Sequence, residues 1–223
     1  MILNMKKGLF LKGLFVIGAA FMLGACSADK QEETKTSVKV VQPKENADAA
    51  ASGSVEGGQK YLAEIKIKDY GTVKVMLDEG IAPKTVQNFV KLANEGFYNG
   101  LTFHRIMEGF MIQGGDPEGN GTGGSSETIY GEFASNGFNN TLSHKEGVIS
   151  MARSSAPNSA SSQFFIVEKD SPSLDGQYAA FGNVVEGMDI VHKIAQDAKP
   201  TDNNGTIEKD QQPVIESITI TEQ

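Results

Sequence analysis

Alternating apolar and polar positions near residue 60 predict the first two strands of a sheet. Residues 61–67 and 72–77 place apolar side chains at nearly every second position, and a polar tetrapeptide, 68–71, separates them. A period of two is that of a strand, and a short polar turn between two such runs is typical of a β-hairpin. From Pro83 the apolar period becomes helical, and Gly96 is placed to end the helix. We interpret the stripe on this helix as core; it consists of Val86, Phe89, Val90 and Ala93.

The stretch 103–116, FHRIMEGFMIQGGD, combines a cation, several large apolar side chains and an amide. Its apolar positions follow the period of two, with a kink predicted at Glu108-Gly109. This period places Arg105 on the same face as residues two positions away, Phe103 and Met107. A guanidinium has five donors in a fixed geometry. Beside an apolar floor, it suits a ligand that is apolar at one end and carries a carbonyl at the other, as a prolyl peptide does. The floor and a nearby amide are supplied by Phe110, Met111 and Gln113.

Two further elements complete the predicted architecture, which is mainly β. A second helix is predicted over Gly187–Ala195 and a last strand over Pro213–Glu222. Between them, Lys199–Gln212 is rich in Asn, Asp and Gly, and is predicted to be a surface loop without an assigned role.

The first 25 residues have the form of a secretion signal. Lysines precede an apolar run, Gly13 to Ala25, which is shorter than the ~20 residues that a spanning helix needs. The run ends in Leu-Gly-Ala-Cys, which resembles the lipobox of bacterial lipoproteins, where the peptide is cut before the cysteine and the thiol is acylated. We therefore expect residues 1–25 to be a lipoprotein signal peptide and Cys26 to carry lipid. An ordinary signal peptide with a spare cysteine is the alternative.

Residues 26–59 are predicted to be the lipidated cysteine and a disordered tether. The segment is mainly Lys, Glu, Ala, Ser and Gly, with few large apolar side chains. It can bury too little apolar surface to offset the loss of chain entropy on folding. Residues 60–223 are then the folded domain. A separate binding role for the tether is the alternative.

Charge, cysteine content and motif context exclude several classes of function. The 223 residues have a net charge of −8, and beyond residue 25 there are 17 basic and 28 acidic residues, or −11, which argues against nucleic acid. The single Cys26 cannot form an intrachain disulfide.

Glycines in 119–124 match a dinucleotide fingerprint by spacing, but no helix pattern follows, so we interpret them as tight turns at the rim of a groove. Scattered histidines disfavour a zinc site, and Ser150 lies outside a nucleophile elbow.

Five motifs in a fixed order resemble the cyclophilin-type peptidyl-prolyl isomerases. They are FHRIMEGFMIQGGD, GNGTGG, GVISMAR, SSQFFIV and LDGQYAAFG, and the resemblance extends over about residues 61–222. It implies a closed, antiparallel, eight-stranded cyclophilin-like β-barrel capped by two α-helices. It also implies prolyl cis-trans isomerase activity with no cofactor and no metal. The expected partners are proline-containing peptides and exported unfolded proteins, and we expect a monomer.

The same resemblance implies roles for individual residues. Arg105 is the expected catalytic residue, because its guanidinium can hydrogen-bond near the prolyl nitrogen as amide resonance is lost. Apolar side chains would surround the proline ring, glutamines would hold substrate carbonyls, and the backbone at 152–153 would hold the residue before proline. Met151 and Phe165 are predicted to be core, and His104 is either groove wall or a structural histidine. The predicted substrate-binding residues are His104, Phe110, Met111, Gln113, Ala152, Arg153, Gln163, Phe164, Leu174 and Tyr178.

Departures from the best-known eukaryotic members of this family bear on ligand choice. Ser173 stands where they have Trp, and Tyr178 where they have His. Loss of the indole disfavours tight cyclosporin binding more than isomerisation. Arg153, where Asn is common, predicts a preference for acidic residues before proline.

We predict a prolyl isomerase that is lipid-anchored to the bacterial cell membrane on its extracytoplasmic side. The alternative is a lipid-anchored binding module that holds unfolded chains without turnover.

Overall fold

The computed structural model describes residues 57–223, so the predicted signal peptide, Cys26 and nearly all of the tether lie outside the described residues. Within this range, the chain forms eight strands and two α-helices, and short 3-10 helices at Ala134–Asn136, Pro172–Leu174 and Lys209–Gln211. In chain order the main elements are β1 (Lys60–Ile67), β2 (Gly71–Asp78), α1 (Pro83–Asn94), β3 (Thr102–Met107), β4 (Met111–Asp116), β5 (Val148–Met151), β6 (Phe164–Val167), β7 (Ala180–Glu186), α2 (Met188–Asp197) and β8 (Ile215–Glu222).

The eight strands form one curled antiparallel sheet in the order β3-β4-β6-β5-β7-β2-β1-β8. The predicted mainly-β fold with two helices is therefore confirmed, and β1 and β2 form the predicted hairpin. The edge strands approach each other where Thr102 forms an isolated bridge with Val214 and the Phe103 amide donates to the Pro213 carbonyl at 2.9 Å. Because this contact is a bridge and not a ladder between β3 and β8, the fully closed barrel stays a prediction.

The core lies on the inner face of the sheet, where apolar side chains from neighbouring strands meet in register. Ile106, Ile112, Ile166 and Ile149 follow one another across β3, β4, β6 and β5, and all four are fully buried. Helix α1 covers this face with Phe89, whose ring lies 5.1–5.4 Å from the rings of Tyr98, Phe164 and Phe181. The predicted stripe of α1 is buried apart from Val90, which is half-buried. Among the described residues, no helix is long and apolar enough to cross a membrane.

Helix α1 begins without a cap from its own sequence. Ala82 precedes the helix and makes no side-chain cap. The acceptors for the first N–H groups of the helix come from Glu132, in a loop distant in sequence. Its carboxylate accepts the backbone N–H groups of Lys84 at 3.0 Å and Thr85 at 2.8 Å, and the Thr85 hydroxyl at 2.7 Å. These N–H groups belong to the first turn of the helix, where backbone N–H groups have no acceptor within the helix.

The segment predicted as a surface loop, 199–212, has a defined place against β3. The Ile106 amide donates to the Gly205 carbonyl at 2.8 Å, and the Ile207 amide to the His104 carbonyl at 3.0 Å. Arg105 and Thr206 form an isolated bridge between these two contacts. Residues 205–207 therefore pair with the outer edge of β3.

Candidate active site

Strand register assembles one row of functional side chains on the outer face of the sheet. Arg105 on β3 is opposite Gln113 on β4, Gln113 is opposite Phe165 on β6, and Phe165 is opposite Ser150 on β5. Directly paired residues project to the same face of a sheet. Four strands therefore bring a cation, an amide, an aromatic ring and a hydroxyl side by side.

A bulge in β3 places Phe103 and Arg105 on opposite faces of the sheet. Phe103 pairs with Gly114 and Arg105 with Gln113, so His104 is an extra residue in β3. Such a bulge disturbs strict alternation and re-aims side chains. Phe103 is fully buried in the core while Arg105 reaches the outer cavity, so the prediction that they share a face is wrong. The sequence period alone contains no sign of the inserted residue.

A cavity of about 170 Å³ opens on this outer face. Its lining combines apolar and aromatic walls with two arginines and one amide. Eight of the predicted site residues are brought together here, and Phe165 completes the lining: Arg105, Phe110, Met111, Gln113, Ala152, Arg153, Leu174 and Tyr178. The size and composition suit a small apolar ring that is joined to a polar backbone.

Arg105 is held at the mouth of this cavity by several acceptors. Its Nε–H donates to the Asn204 carbonyl at 2.7 Å, and Nη1 donates to Gln113 Oε1 at 3.2 Å. The thioether sulfurs of Met107 and Met111 lie 3.2 Å and 3.8 Å from Nη2 and Nη1. Thioethers are weak acceptors, so these contacts can yield to a stronger one. Burial lowers the pKa of Arg105, and an arginine nevertheless remains charged at neutral pH.

The amides of Gln113 and Gln163 connect Arg105 to a second cavity. Gln113 Nε2 donates to Gln163 Oε1 at 2.9 Å, and Gln163 Nε2 donates to the carbonyl of Gly123 at 2.7 Å. The second cavity, of about 330 Å³, has Gln113, Gln163, the glycine-rich loop and several serines in its lining. Gln163 therefore lies beside this larger cavity, and the chain of amides fixes the side-chain orientation of both glutamines.

Asp116 explains the glycine-rich loop that lines the second cavity. Its carboxylate accepts the backbone N–H groups of Glu118 at 2.8 Å, Asn120 at 3.1 Å and Gly121 at 2.6 Å. Burial opposes ionisation of this carboxyl, but the backbone donors outweigh burial and lower its pKa. Gly119 and Gly121 adopt positive φ angles of 65° and 90° within this turn. Gly119 and Gly121 therefore lie in turns as predicted, and Gly121 and Gly124 line the second cavity.

Phe164 does not line the cavity of about 170 Å³, which corrects the prediction made from the resemblance. Phe164 is fully buried and pairs with Gly114 and Met151, which lie on the inner face. Phe165, predicted as core, lines the cavity instead. The reason is parity, since adjacent strand residues project to opposite faces and Phe165 shares the face of Gln113. Met151 is buried in the main core as predicted.

His104 belongs to the interior and does not line either cavity. It is 4% exposed, and neither ring nitrogen has a hydrogen-bond partner among the described residues. Burial lowers its pKa, so the neutral imidazole is the stable form. A Cβ on Gly121 would lie 3.7 Å from its Nε2, which places the ring behind the glycine-rich loop. His104 therefore supports this loop from the inside.

Arg153 stands between the two cavities and is stacked between two rings. Its guanidinium carbon lies 4.9 Å from the centroids of both Phe133 and Tyr178. Its Nε donates to the Gln177 carbonyl at 3.0 Å and Nη1 to the Ser154 carbonyl at 2.9 Å. Cation–π contacts and backbone acceptors together fix the guanidinium as part of the wall.

A Ser-His-Asp arrangement lies under the cavity and was not anticipated. His144 has Nδ1 2.9 Å from Asp175 Oδ1 and Nε2 3.0 Å from Ser150 Oγ. The ring of His144 stacks on Phe165, with centroids 6.1 Å apart. Ser150 is fully buried, so its hydroxyl has no route to a substrate carbonyl. The arrangement supports the floor of the cavity, and only the three-dimensional contacts could have revealed it.

The class of protein follows from the family that the sequence matches. Residues 62–222 match the sequence model of the family described as cyclophilin type peptidyl-prolyl cis-trans isomerase/CLD. The match covers well over half of the chain, so the chain belongs to this family. Its activity is peptidyl-prolyl cis-trans isomerisation, the activity predicted from the motifs.

Individual relatives carry the same activity in their names. A peptidyl-prolyl cis-trans isomerase of Helicobacter pylori is 45% identical over 128 residues, which cover 56% of this chain and 76% of the relative. The Schizosaccharomyces pombe isomerase ppi1 is 45% identical over 135 residues, or 60% of this chain and 85% of the relative. A crystal structure of a Cryptosporidium parvum cyclophilin-type isomerase, determined in the presence of the dipeptide Ala-Pro, has a TM-score of 0.63. It is 32% identical and covers 72% of this chain and 98% of that one.

Proposed function

We propose that Arg105 is the catalytic residue and that the cavity of about 170 Å³ beside it receives the proline ring. The observation that carries this proposal is the position of the guanidinium at the mouth of an apolar, aromatic-walled cavity. Rotation about an X–Pro bond is slow because amide resonance imposes a barrier of ~18–20 kcal/mol. A donor near the prolyl nitrogen stabilises the twisted amide, in which the nitrogen lone pair is available.

The arrangement around Arg105 supports this role. Within the described part of the chain, its Nη2 has the Met107 sulfur, a weak acceptor, as its hydrogen-bond partner, so a prolyl amide can take that place. Asn204 and Gln113 accept from the other two guanidinium nitrogens, Nε and Nη1, which limits reorientation of the group during the reaction. No nucleophile or metal is needed, because no bond other than the rotating one changes character.

The test is a proline-limited refolding assay with the full chain. We expect Arg105→Ala to lower kcat/KM by about a hundredfold while peptide binding is retained. Lys68→Ala, an exposed cation in the β1–β2 turn, should leave the rate unchanged. An Arg105→Ala protein as fast as its parent would exclude the assigned catalytic role. A parent that binds peptides without accelerating refolding would indicate the binding module instead.

We propose further that the enzyme acts outside the membrane, held there by lipid on Cys26, and assists exported proteins. The support is the basic and apolar start, the Leu-Gly-Ala-Cys sequence and the polar segment that follows. Acyl chains contribute roughly 0.8 kcal/mol per buried methylene, so two or three chains suffice for stable anchoring.

Fractionation of cells that express the full chain tests this placement. Cys26→Ala should move the protein from the membrane to the soluble fraction, whereas Ser27→Ala should leave it anchored. Membrane association that survives Cys26→Ala would rule out the lipid anchor.

The stacked Arg153 supports a preference for acidic residues before proline. Neither cavity has an Asp or Glu in its described lining, so the charge of Arg153 meets no carboxylate there. A peptide series that varies the residue before proline should show the highest kcat/KM with Glu in the parent, and a flat profile with Arg153→Gln. A flat profile in the parent would argue against this preference.

A further inference from the structure

We propose that Asp202 is a positioning residue for Arg105 and that the turn 201–206 holds the guanidinium in its working orientation. This inference rests on the proposed catalytic role of Arg105. The turn belongs to the segment that the sequence pattern left without a role. Its effect is exerted through a backbone carbonyl, that of Asn204.

The Asn204 carbonyl makes the shortest polar contact of Arg105. The Nε–H donates to it at 2.7 Å, compared with 3.2 Å for the contact between Nη1 and Gln113 Oε1. A bond at Nε fixes the plane of the guanidinium, because Nε is part of that plane and next to the last rotatable bond. The direction in which Nη2 faces the cavity therefore depends on where this carbonyl lies.

Asp202 determines where the Asn204 carbonyl lies. Its Oδ1 accepts the backbone N–H groups of Asn204 at 2.9 Å and Thr206 at 3.0 Å. Its Oδ2 accepts the Thr206 hydroxyl at 2.9 Å. One carboxylate thus binds three donors of the turn and brackets the peptide that carries the Asn204 carbonyl. Such Asp-centred turns are stable because the side chain replaces backbone acceptors.

The turn is fixed to the strand that carries Arg105. The Gly205 carbonyl accepts the Ile106 amide at 2.8 Å, one residue after Arg105. Gly205 has φ +85°, and a Cβ there would lie 2.5 Å from Met107 Cγ. The close approach and the positive φ both require glycine. Asp202, Gly205 and β3 therefore form one rigid unit around the guanidinium.

Catalysis requires this rigidity, because a donor stabilises the twisted amide only if it is already aimed at the prolyl nitrogen. If the Asp202 carboxylate is removed, the three donors lose their shared acceptor and the turn can relax. The Asn204 carbonyl then no longer fixes the guanidinium plane. The expected consequence is a lower kcat with little change in KM, because the apolar walls of the cavity remain.

Kinetics of the full chain test the proposal. We expect Asp202→Ala to lower kcat roughly tenfold with KM nearly unchanged, a loss that is ordinary for a misaligned catalytic group. Asp202→Asn keeps the side-chain oxygen that accepts the two N–H groups, so it should retain most of the rate. Asp210→Ala, in the same segment but away from the turn, should behave as the parent. Equal losses in Asp202→Ala and Asp202→Asn, or in Asp210→Ala, would overturn the proposal.

A second measurement does not depend on activity. The chain contains only two arginines, Arg105 and Arg153, so its NMR spectrum has two Nε–H signals, which Arg153→Lys assigns. Asp202→Ala should move the Arg105 signal towards that of a free arginine, and Asp210→Ala should not. An unmoved signal would overturn the positioning role even if the rate falls. If the parent shows no isomerisation but the signal still moves, the proposed function fails while the contact described here stands.

Discussion

Phe164 and Phe165 are chemically identical neighbours with different surroundings. The ring of Phe164 makes edge-to-face contacts with Phe89, Tyr98 and Phe103 inside the core. The ring of Phe165 lies between His144 and Tyr178, next to the cavity. The first side chain therefore stabilises the fold, and the second is placed to contact a ligand.

Alanine substitutions should separate the two roles. We expect Phe164→Ala to lower the free energy of unfolding by about 3–5 kcal/mol, because it leaves a void among packed rings. Phe165→Ala should cost less stability and raise KM for a proline peptide. Denaturant unfolding and steady-state isomerisation of both variants measure this difference. A folded Phe164→Ala protein with raised KM, beside an unaffected Phe165→Ala, would reverse the assignment.

Hydrophobicity alone could not show that Phe164 lies in the core and that Phe165 lines the cavity. All four residues of β6 are buried, because this strand is covered on both faces, so the alternation that marks an exposed face is absent. In β1 and β2 one face is more exposed, and the predicted bounds agree with the observed ones to within one residue. The cavity residues close in sequence to Arg105 were predicted, whereas Asn204, which is 99 positions away, was not. Local patterns do not contain such long-range contacts.

At the scale of elements, helix α1 depends on a residue outside it. Pro83 marks its start in the sequence, but the acceptor for its first turn is Glu132, 47 positions after Thr85. The cap therefore links the helix to the loop after β4. The helix and this loop are expected to lose order together.

We predict that Glu132→Ala lowers the free energy of unfolding by about 1–3 kcal/mol, because buried N–H groups lose their acceptor. Glu127 offers a matched control, since its carboxylate is 73% exposed and pairs with Lys91 at the surface. Glu127→Ala should change stability by less than about 1 kcal/mol. Chemical denaturation of both variants gives the comparison, and equal losses would contradict the capping role.

His192 connects α2 to the end of β6 through a carboxylate that also holds the turn before β4. Its Nδ1 lies 2.8 Å from Glu168 Oε1, and Glu168 Oε2 accepts the Gly109 amide at 2.6 Å. Glu146 lies 3.4 Å from the other ring nitrogen. The hydrogen bond to Glu168, together with these two negative charges, raises the pKa of His192.

This raised pKa predicts a pH-dependent contribution to stability. Because the folded value is above the unfolded value of about 6.5, the stabilisation is complete below pH ~6.5 and is lost as the pH rises through the folded pKa. The difference in unfolding free energy between the parent and His192→Gln should therefore be larger at pH 5.5 than at pH 8.5, as measured by urea unfolding. His144, whose pKa is lowered by burial, should give the opposite trend. A difference for His192 that grows with pH would contradict the prediction.

The distribution of charge is a property of the whole molecule. Residues 57–223 contain 22 acidic and 13 basic residues, yet both arginines of the chain line the same cavity. The cavity is therefore a positive region on an acidic protein. We expect this charge to favour ligands with acidic segments, and added salt to weaken that preference.

The described range is expected to be the complete folding unit. Strand β1 pairs with both β2 and β8, and its Ala63, Ile65 and Ile67 are core residues. We predict that the fragment 57–223 folds cooperatively and isomerises proline peptides at the rate of the full chain. A fragment 64–223, which lacks half of β1, should be unfolded. Circular dichroism and the refolding assay test both fragments, and a 57–223 fragment without a cooperative transition would contradict the assignment.

The pairing of β1 with β8 also constrains the order of events in folding. The side chain of Gln59 donates to the carbonyl of Gln223, so the start and the end of the domain are in contact. A chain that emerges from its N-terminus therefore exposes one edge of β1 until β8 has emerged as well. Throughout the interval between the two strands, that edge of β1 is open to unwanted strand pairing.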